Sequence, residues 1–189
     1  MRPSDVPIPS SPTAPFPLTT PFCDVVAGFG RGSAQLGIPT ANVPAEQLPE
    51  DFDSLALGVY FGFARLQPTS NDEDDDHHHH PHQARPDGSH VHFNNGSRLA
   101  TEDLQTLPVV LSVGMNPFYH NQTKTVELHL VHTFAHDFYG AQVKFRVLGY
   151  IRPELDYTSR DALIADIRTD IALAQRALAL PGYAQQSDF

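Results

Sequence analysis

Five stretches of this chain read as β-strands, and Gly, Pro or Asn punctuates every gap between them. They are "FCDVVAG" (22–28), "LGVYFGFARL" (57–66), "LPVVLSVG" (107–114), "KTVELHLVH" (124–132) and "VKFRVLGYI" (143–151). Their apolar residues alternate or run together as those of half-buried and fully buried strands do. A sixth, short strand is expected at "TANVP" (40–44). Hairpin-sized gaps such as "GMNPFYHNQ" (114–122) favour antiparallel pairing. Six such strands favour closure into a barrel, which removes exposed edges. The expected fold is therefore mainly β: a six-stranded antiparallel barrel of Greek-key type.

One helix follows. Leu163, Ile164, Ile167, Ile171, Ala174 and Leu178 recur at three- and four-residue steps and form one apolar stripe. Thr158 with Asp161 resembles a capping pair, and Pro181-Gly182 stops the helix. This helix is expected to pack on the barrel.

The segments outside these elements set the domain limits. Residues 1–21 are rich in Pro, Ser and Thr and are expected to form a structureless tail. Residues from about 67 to 104 contain "NDEDDDHHHHPH" and read as a flexible insertion, and 182–189 as a C-terminal tail. One domain, 22–181, remains, of ordinary size once the insertion is set aside.

The net charge of −10 and the presence of only two lysines, Lys124 and Lys144, argue against a nucleic-acid partner. No apolar run approaches the ~20 residues that span a bilayer, and no secretory hydrophobic region opens the chain, so no membrane partner is expected. The single cysteine, Cys23, cannot form an intramolecular disulfide and is expected to be a buried strand residue. A cytoplasmic location follows, with a mitochondrial pool left open.

Three groups of residues could carry chemistry. In "GFGRGS", Gly28, Gly30 and Gly32 do not match a Walker A loop or the dinucleotide fingerprint. They fit a tight turn between strands equally with an anion-binding concavity of free backbone N–H groups, to which Arg31 and Ser33 would add a charge and a hydroxyl. Thr40 and Asn42 supply hard oxygens from one face of an extended strand, as Mg²⁺ prefers. In "TVELHL", Glu127 lies opposite the apolar face of Val126, Leu128 and Leu130. It is either a solvated surface carboxylate or a base held on a rigid strand. His129 and His132 fall on opposite strand faces, which disfavours joint chelation, and His136 lies further on.

These motifs occur together in one order. "GFGRGSAQLGIPTAN", "GVYFGFARL", "VVLSVGMNPFYHNQTKTVELHLVHTFAHDFYGAQV" and "VLGYIRPELDYTSRDALIADIRTDIALAQRALALP" resemble the eukaryotic riboflavin kinases from about Phe22 to Pro181, broken only by the acidic, histidine-rich insertion. The resemblance implies transfer of the γ-phosphate of ATP to the ribityl 5′-hydroxyl of riboflavin, giving FMN and ADP. It implies that Gly28–Ser33 is a nucleotide flap, that Thr40 and Asn42 hold Mg²⁺ (with Zn²⁺ or Mn²⁺ as substitutes), and that Glu127 is the catalytic base. By the same resemblance Thr40, Leu130, His132 and Tyr139 line the nucleotide and Arg152 lies on the flavin side. Ala34 and Leu155 stand where some relatives carry lysines, so altered Michaelis constants are expected. A monomer is expected, and FAD synthesis is not, since no adenylyltransferase domain is present.

Two rival readings are kept. A flavin-holding barrel without turnover would quench flavin fluorescence with no ATP dependence. A metal-binding protein acting through His77–His82 would lose its function on deletion of residues 71–83.

Overall fold

The computed structural model describes residues 7–26, 40–69, 82–84, 90–115, 124–156 and 159–189. Its main sheet contains β1 (Leu18–Thr19), β2 (Cys23–Asp24), β3 (Thr40–Val43), β4 (Gly58–Gln67), β7 (Leu107–Met115), β8 (Lys124–Leu130) and β9 (Gln142–Pro153). β5 (His82–Ala84) and β6 (His90–His92) form a separate antiparallel pair. The main sheet runs β1-β9-β4-β7-β8-β3, with β2 also on β9, and every pairing in it is antiparallel. All six expected strands are present.

Closure differs from expectation. Among the described residues no continuous ladder joins β3 to β2; one bridge, Val26 to Asn42, spans the seam, with the Val26 N–H donating to the Asn42 carbonyl at 2.9 Å. The mostly antiparallel sheet with a packed C-terminal helix is as expected, and its inner face is filled like that of a barrel. Alternate residues supply that filling: Ala41 and Val43, Val109, Leu111 and Val113, Val126, Leu128 and Leu130, and Val143, Phe145 and Val147. Cys23 is fully buried among them.

The outer face of β4, β7 and β9 carries a second core. Val59, Phe61, Phe63, Val110, Leu148 and Ile151 meet Ala174, Ala177 and Leu178 of α1 (Arg160–Leu178). β9 reaches this face through register shifts opposite Val59/Tyr60 and Phe61/Gly62, which leave Leu148 and Ile151 as extra residues turned toward the helix. Gly149 makes room there, since a Cβ would lie 2.5 Å from the Phe61 ring. Truncating a fully buried ring such as Phe61 costs about 3–5 kcal/mol.

The Ser159 hydroxyl caps α1, accepting from the Ala162 N–H at 3.2 Å. Thr158, the expected cap, lies outside the described residues. No helix among the described residues is long and apolar enough to cross a membrane.

The three segments expected to be structureless are partly built into the body. Leu18–Thr19 pairs with β9, and the Thr20 hydroxyl accepts from the Phe145 N–H at 3.1 Å. A Pro-rich stretch has little helical or strand propensity, yet an extended chain suffices to cover a sheet edge. Pro181 ends α1 as expected but also opens α2 (Pro181–Ala184), whose buried Tyr183 packs edge-on against Phe61 and donates its hydroxyl to the Pro9 carbonyl at 2.8 Å. The insertion is narrower than expected. Thr69 N–H bonds the Asn95 carbonyl and Asn95 N–H bonds that of Tyr139, each at 2.9 Å, so the body resumes near residue 93. The acidic run itself lies outside the described residues.

Candidate active site

The register of β3, β8 and β7 decides which side chains meet outside the barrel. On β8, the burial of Val126, Leu128 and Leu130 inward forces Thr125, Glu127 and His129 outward. On β3, inward Ala41 and Val43 leave Thr40 and Asn42 on the same outer face. Asn42 pairs directly with Glu127, and Thr40 with His129. Directly opposed residues share a face and lie about 4.5–5.5 Å apart. On its other flank Glu127 pairs with Ser112, and Ser112 with Val59, which pairs with Arg152. One row therefore crosses five strands in the order Asn42, Glu127, Ser112, Val59, Arg152. At roughly 4.8 Å per strand, Glu127 stands about 14 Å from Arg152 at the backbone.

Electrostatics distinguish Glu127 from His129, the two ionisable residues on the outward face of β8 that pair with β3. Burial pushes the Glu127 carboxyl up from 4.5 to about 7. Burial pushes the His129 imidazole down from 6.5 to about 4, so it is neutral at physiological pH. Thr40 and Asn42 offer a hydroxyl and an amide oxygen beside the Glu127 carboxylate. These hard donors fit a divalent cation that takes its remaining ligands from water and phosphate. Among the described residues outside the β5–β6 pair no trio of His, Cys, Asp or Glu gathers as a metal-binding group, so His129, His132 and His136 do not form one.

The glycine residues Gly28, Gly30 and Gly32, with Arg31, Ser33 and Ala34, lie outside the described residues. The flanks of that segment are fixed. Val26 bridges Asn42, and Thr40 begins β3 only two residues from that bridge. Asp24 and Gln47 add a reciprocal clasp: Gln47 Oε1 accepts from Asp24 N at 2.7 Å, and Gln47 Nε2 donates to Asp24 Oδ2 at 2.8 Å. The segment thus leaves and re-enters the body at the end of β3 that carries Thr40.

The other expected nucleotide residues divide. His132 follows the end of β8 on this same rim, its Nε2 at 2.7 Å from Asp103 Oδ1 and its ring edge-on to Phe134 at 4.7 Å. Tyr139 stacks on Phe93 at 5.9 Å, and its neighbour Gly140 donates its N–H to the Val25 carbonyl at 2.9 Å, one residue before the bridge at Val26. Leu130 is different: its side chain is buried in the barrel interior, so only its backbone is left to face a ligand on this rim.

Arg152, expected on the flavin side, is buried against α1. Its Nε donates to Asp170 Oδ1 at 3.0 Å and its Nη2 to Asp170 Oδ2 at 2.9 Å, a two-pronged ion pair, while Nη1 reaches the Pro153 carbonyl at 3.2 Å. Sequence reading missed Asp170. Its signal is a carboxylate on the apolar stripe, three residues after Ile167 and four before Ala174. Glu154 was also missed. Gly114 lacks the Cβ that would sit 2.7 Å from Glu154 Oε1, so this largely exposed carboxyl lies over β7 beside the row. Partial burial raises it, against the opposing pull of Arg152. Half-buried Leu155 follows it.

Comparison with known proteins gives one answer. Residues 21–178 match the family model described as flavokinase, riboflavin kinase. A riboflavin kinase of Kluyveromyces lactis is 59% identical over 187 residues, covering 99% of this chain and 98% of that protein. A riboflavin kinase of Saccharomyces cerevisiae is 55% identical over 184 residues, covering 96% and 82%. The crystal structure of riboflavin kinase from Trypanosoma brucei superposes with a TM-score of 0.59 at 25% identity, covering 93% of this chain and 89% of that one.

Proposed function

The chain belongs to the riboflavin kinase family, and from that premise we propose that Glu127 is the base that drives phosphorylation of riboflavin by ATP on the Asn42–Glu127 face. The observation that carries the proposal is the direct pairing of Asn42 with Glu127. It sets a half-buried carboxylate beside two neutral oxygen donors, at the rim that borders the glycine segment.

Glu127 accepts the proton of the riboflavin 5′-hydroxyl while that oxygen attacks the γ-phosphorus in line. The new O–P bond forms as the bond to the β-phosphate oxygen breaks, and FMN and ADP result. A carboxyl that titrates at about 7 is partly ionised at neutral pH, near the optimum for a general base. A divalent ion on Thr40 Oγ1 and Asn42 Oδ1, Mg²⁺ in this reading, would neutralise charge on the triphosphate and favour ionised Glu127. The chain's own contribution is positioning: rigid strands hold the base, Val26 and Thr40 anchor the nucleotide segment, and the Arg152–Asp170 pair fixes α1 against β9.

A barrel that merely held a flavin would gain nothing from a half-buried carboxylate whose ionisation is disfavoured. The same reading takes the chain as a cytoplasmic monomer, which light scattering and fractionation would check. The decisive experiment incubates purified protein with riboflavin, ATP and Mg²⁺ and separates the products chromatographically. FMN and ADP in equal amounts are expected, with Glu127→Gln slower by roughly 10²-fold or more. Flavin binding without FMN formation would overturn the reading.

A further inference from the structure

β5 and β6 form a sheet of their own, and their sequences are "HQA" (82–84) and "HVH" (90–92). The stretch between them, "RPDGS", carries a Pro-Asp-Gly turn signal. The antiparallel register sets His82 opposite His92 and Ala84 opposite His90, with Gln83 opposite Val91 between them. Directly opposed residues share a face, and so do residues two apart on one strand. Positions 82, 84, 90 and 92 therefore make one face of the pair, and three of these four are histidine. Gln83 and Val91 make the other. Neither is an apolar face that a core could bury, and a lone two-stranded hairpin is marginally stable in water.

We propose that the register bringing His82, His90 and His92 onto one face of the β5–β6 hairpin makes that face a binding site for a divalent transition-metal ion of the Zn²⁺ class. His82 and His92, directly opposed, stand about 4.5–5.5 Å apart at Cβ, and His90 stands diagonally about 7–8 Å from His82. Along β6, His90 and His92 are roughly 7 Å apart. Three imidazoles at these spacings can share one ion, each ring nitrogen about 2 Å from it, with water in the fourth place of a tetrahedron. Imidazole suits Zn²⁺, Ni²⁺ and Cu²⁺, whereas Mg²⁺ takes oxygen donors. The ion is thus of a different kind from the one assigned to Thr40 and Asn42. It also supplies what the hairpin lacks: a tie across the two strands, which makes metal binding and strand pairing one equilibrium.

Co²⁺ tests this, because it replaces Zn²⁺ in such sites and absorbs strongly in the visible when tetrahedral but weakly when octahedral. The experiment titrates Co²⁺ into the full-length protein and then displaces it with Zn²⁺. Wild type is expected to show a tetrahedral spectrum that saturates at one ion per chain. His82→Gln, His90→Gln and His92→Gln are each expected to weaken binding roughly 10- to 100-fold. A sharper control combines Val91→His with His92→Val, which keeps the composition and moves one imidazole to the opposite face. It is expected to bind as weakly as His92→Gln. Replacing the run His77–His80 by Gln is expected to leave the tetrahedral spectrum in place. A wild type without that spectrum overturns the inference. So does an exchanged chain that binds as tightly as wild type, or a spectrum lost with His77–His80, since binding then follows the number of histidines and not the register.

Discussion

Replacing Glu127 by Gln is expected to cripple turnover and at the same time stabilise the ligand-free protein. Folding carries this carboxyl from water into a partly buried outer-face site, and its pKa rises from 4.5 to about 7. The sign follows from proton counting. Between these values the unfolded chain has lost the proton and the folded chain keeps it, so stability falls as pH rises through that window. Above pH 7 the loss is complete. At roughly 1.4 kcal/mol per pH unit it amounts to about 3 kcal/mol. Glutamine has nearly the same shape and nothing to ionise, so the variant avoids the loss. Urea unfolding of metal-free, nucleotide-free protein should show the two chains nearly equal at acid pH, near 4.5, and Glu127→Gln ahead by about 3 kcal/mol at alkaline pH. In thermal melts this is about 6–12 °C for a chain of this size. A variant no more stable than wild type at alkaline pH would refute the claim that burial raises this carboxyl, and with it the poised base.

Four further outcomes are expected. His129 titrates at about 4 when folded against 6.5 when unfolded, so wild type should lose up to about 3 kcal/mol as pH falls from 6.5 to 4, and His129→Gln should flatten that limb in acid-side urea titrations. Thr40→Ala should weaken the apparent affinity for the metal–nucleotide complex about tenfold, read from initial rates against Mg²⁺ concentration, and an unmoved midpoint would remove Thr40 from the metal site. Asp170→Ala removes the carboxylate that faces the buried Arg152 guanidinium and should cost about 3–5 kcal/mol in urea midpoint analysis, whereas a cost under about 1 kcal/mol would show the pair to be solvated. Replacing residues 70–92 by a short Gly-Ser link from Thr69 to Phe93, beside the Thr69–Asn95 bond, should leave kcat intact and raise stability by about 1 kcal/mol, and lost activity would assign the acidic, histidine-rich run a catalytic part.

The strands were legible because their interiors repeat with period two, and the side of β8 that carries Glu127 followed from Val126, Leu128 and Leu130 alone. The same argument on β3 put Thr40 and Asn42 on a shared face. What local pattern does not carry is which strand lies beside which, so the meeting of Asn42 with Glu127 needed the fold. Leu130 shows the limit from the other side: its inward position was already implied by the alternation, and the resemblance led past it to a nucleotide role that its side chain is not placed to fill. Asp103 and His132 are 29 residues apart, and no periodicity links them. The N-terminal stretch was misjudged for a different reason. Composition reports whether a segment can build its own core, not whether a ready-made edge such as that of β9 will accept it.

The five-strand row makes β8 intolerant of changes in length. Losing one residue between Lys124 and Glu127 would swing the acid into the greasy interior and expose Leu128 in its place, ruining packing and chemistry in a single event. Point substitution can still tune such a strand, but insertion and deletion can explore only the connections at its ends. Lineages of this fold should therefore diversify by lengthening loops, while the segment bearing the base keeps its length.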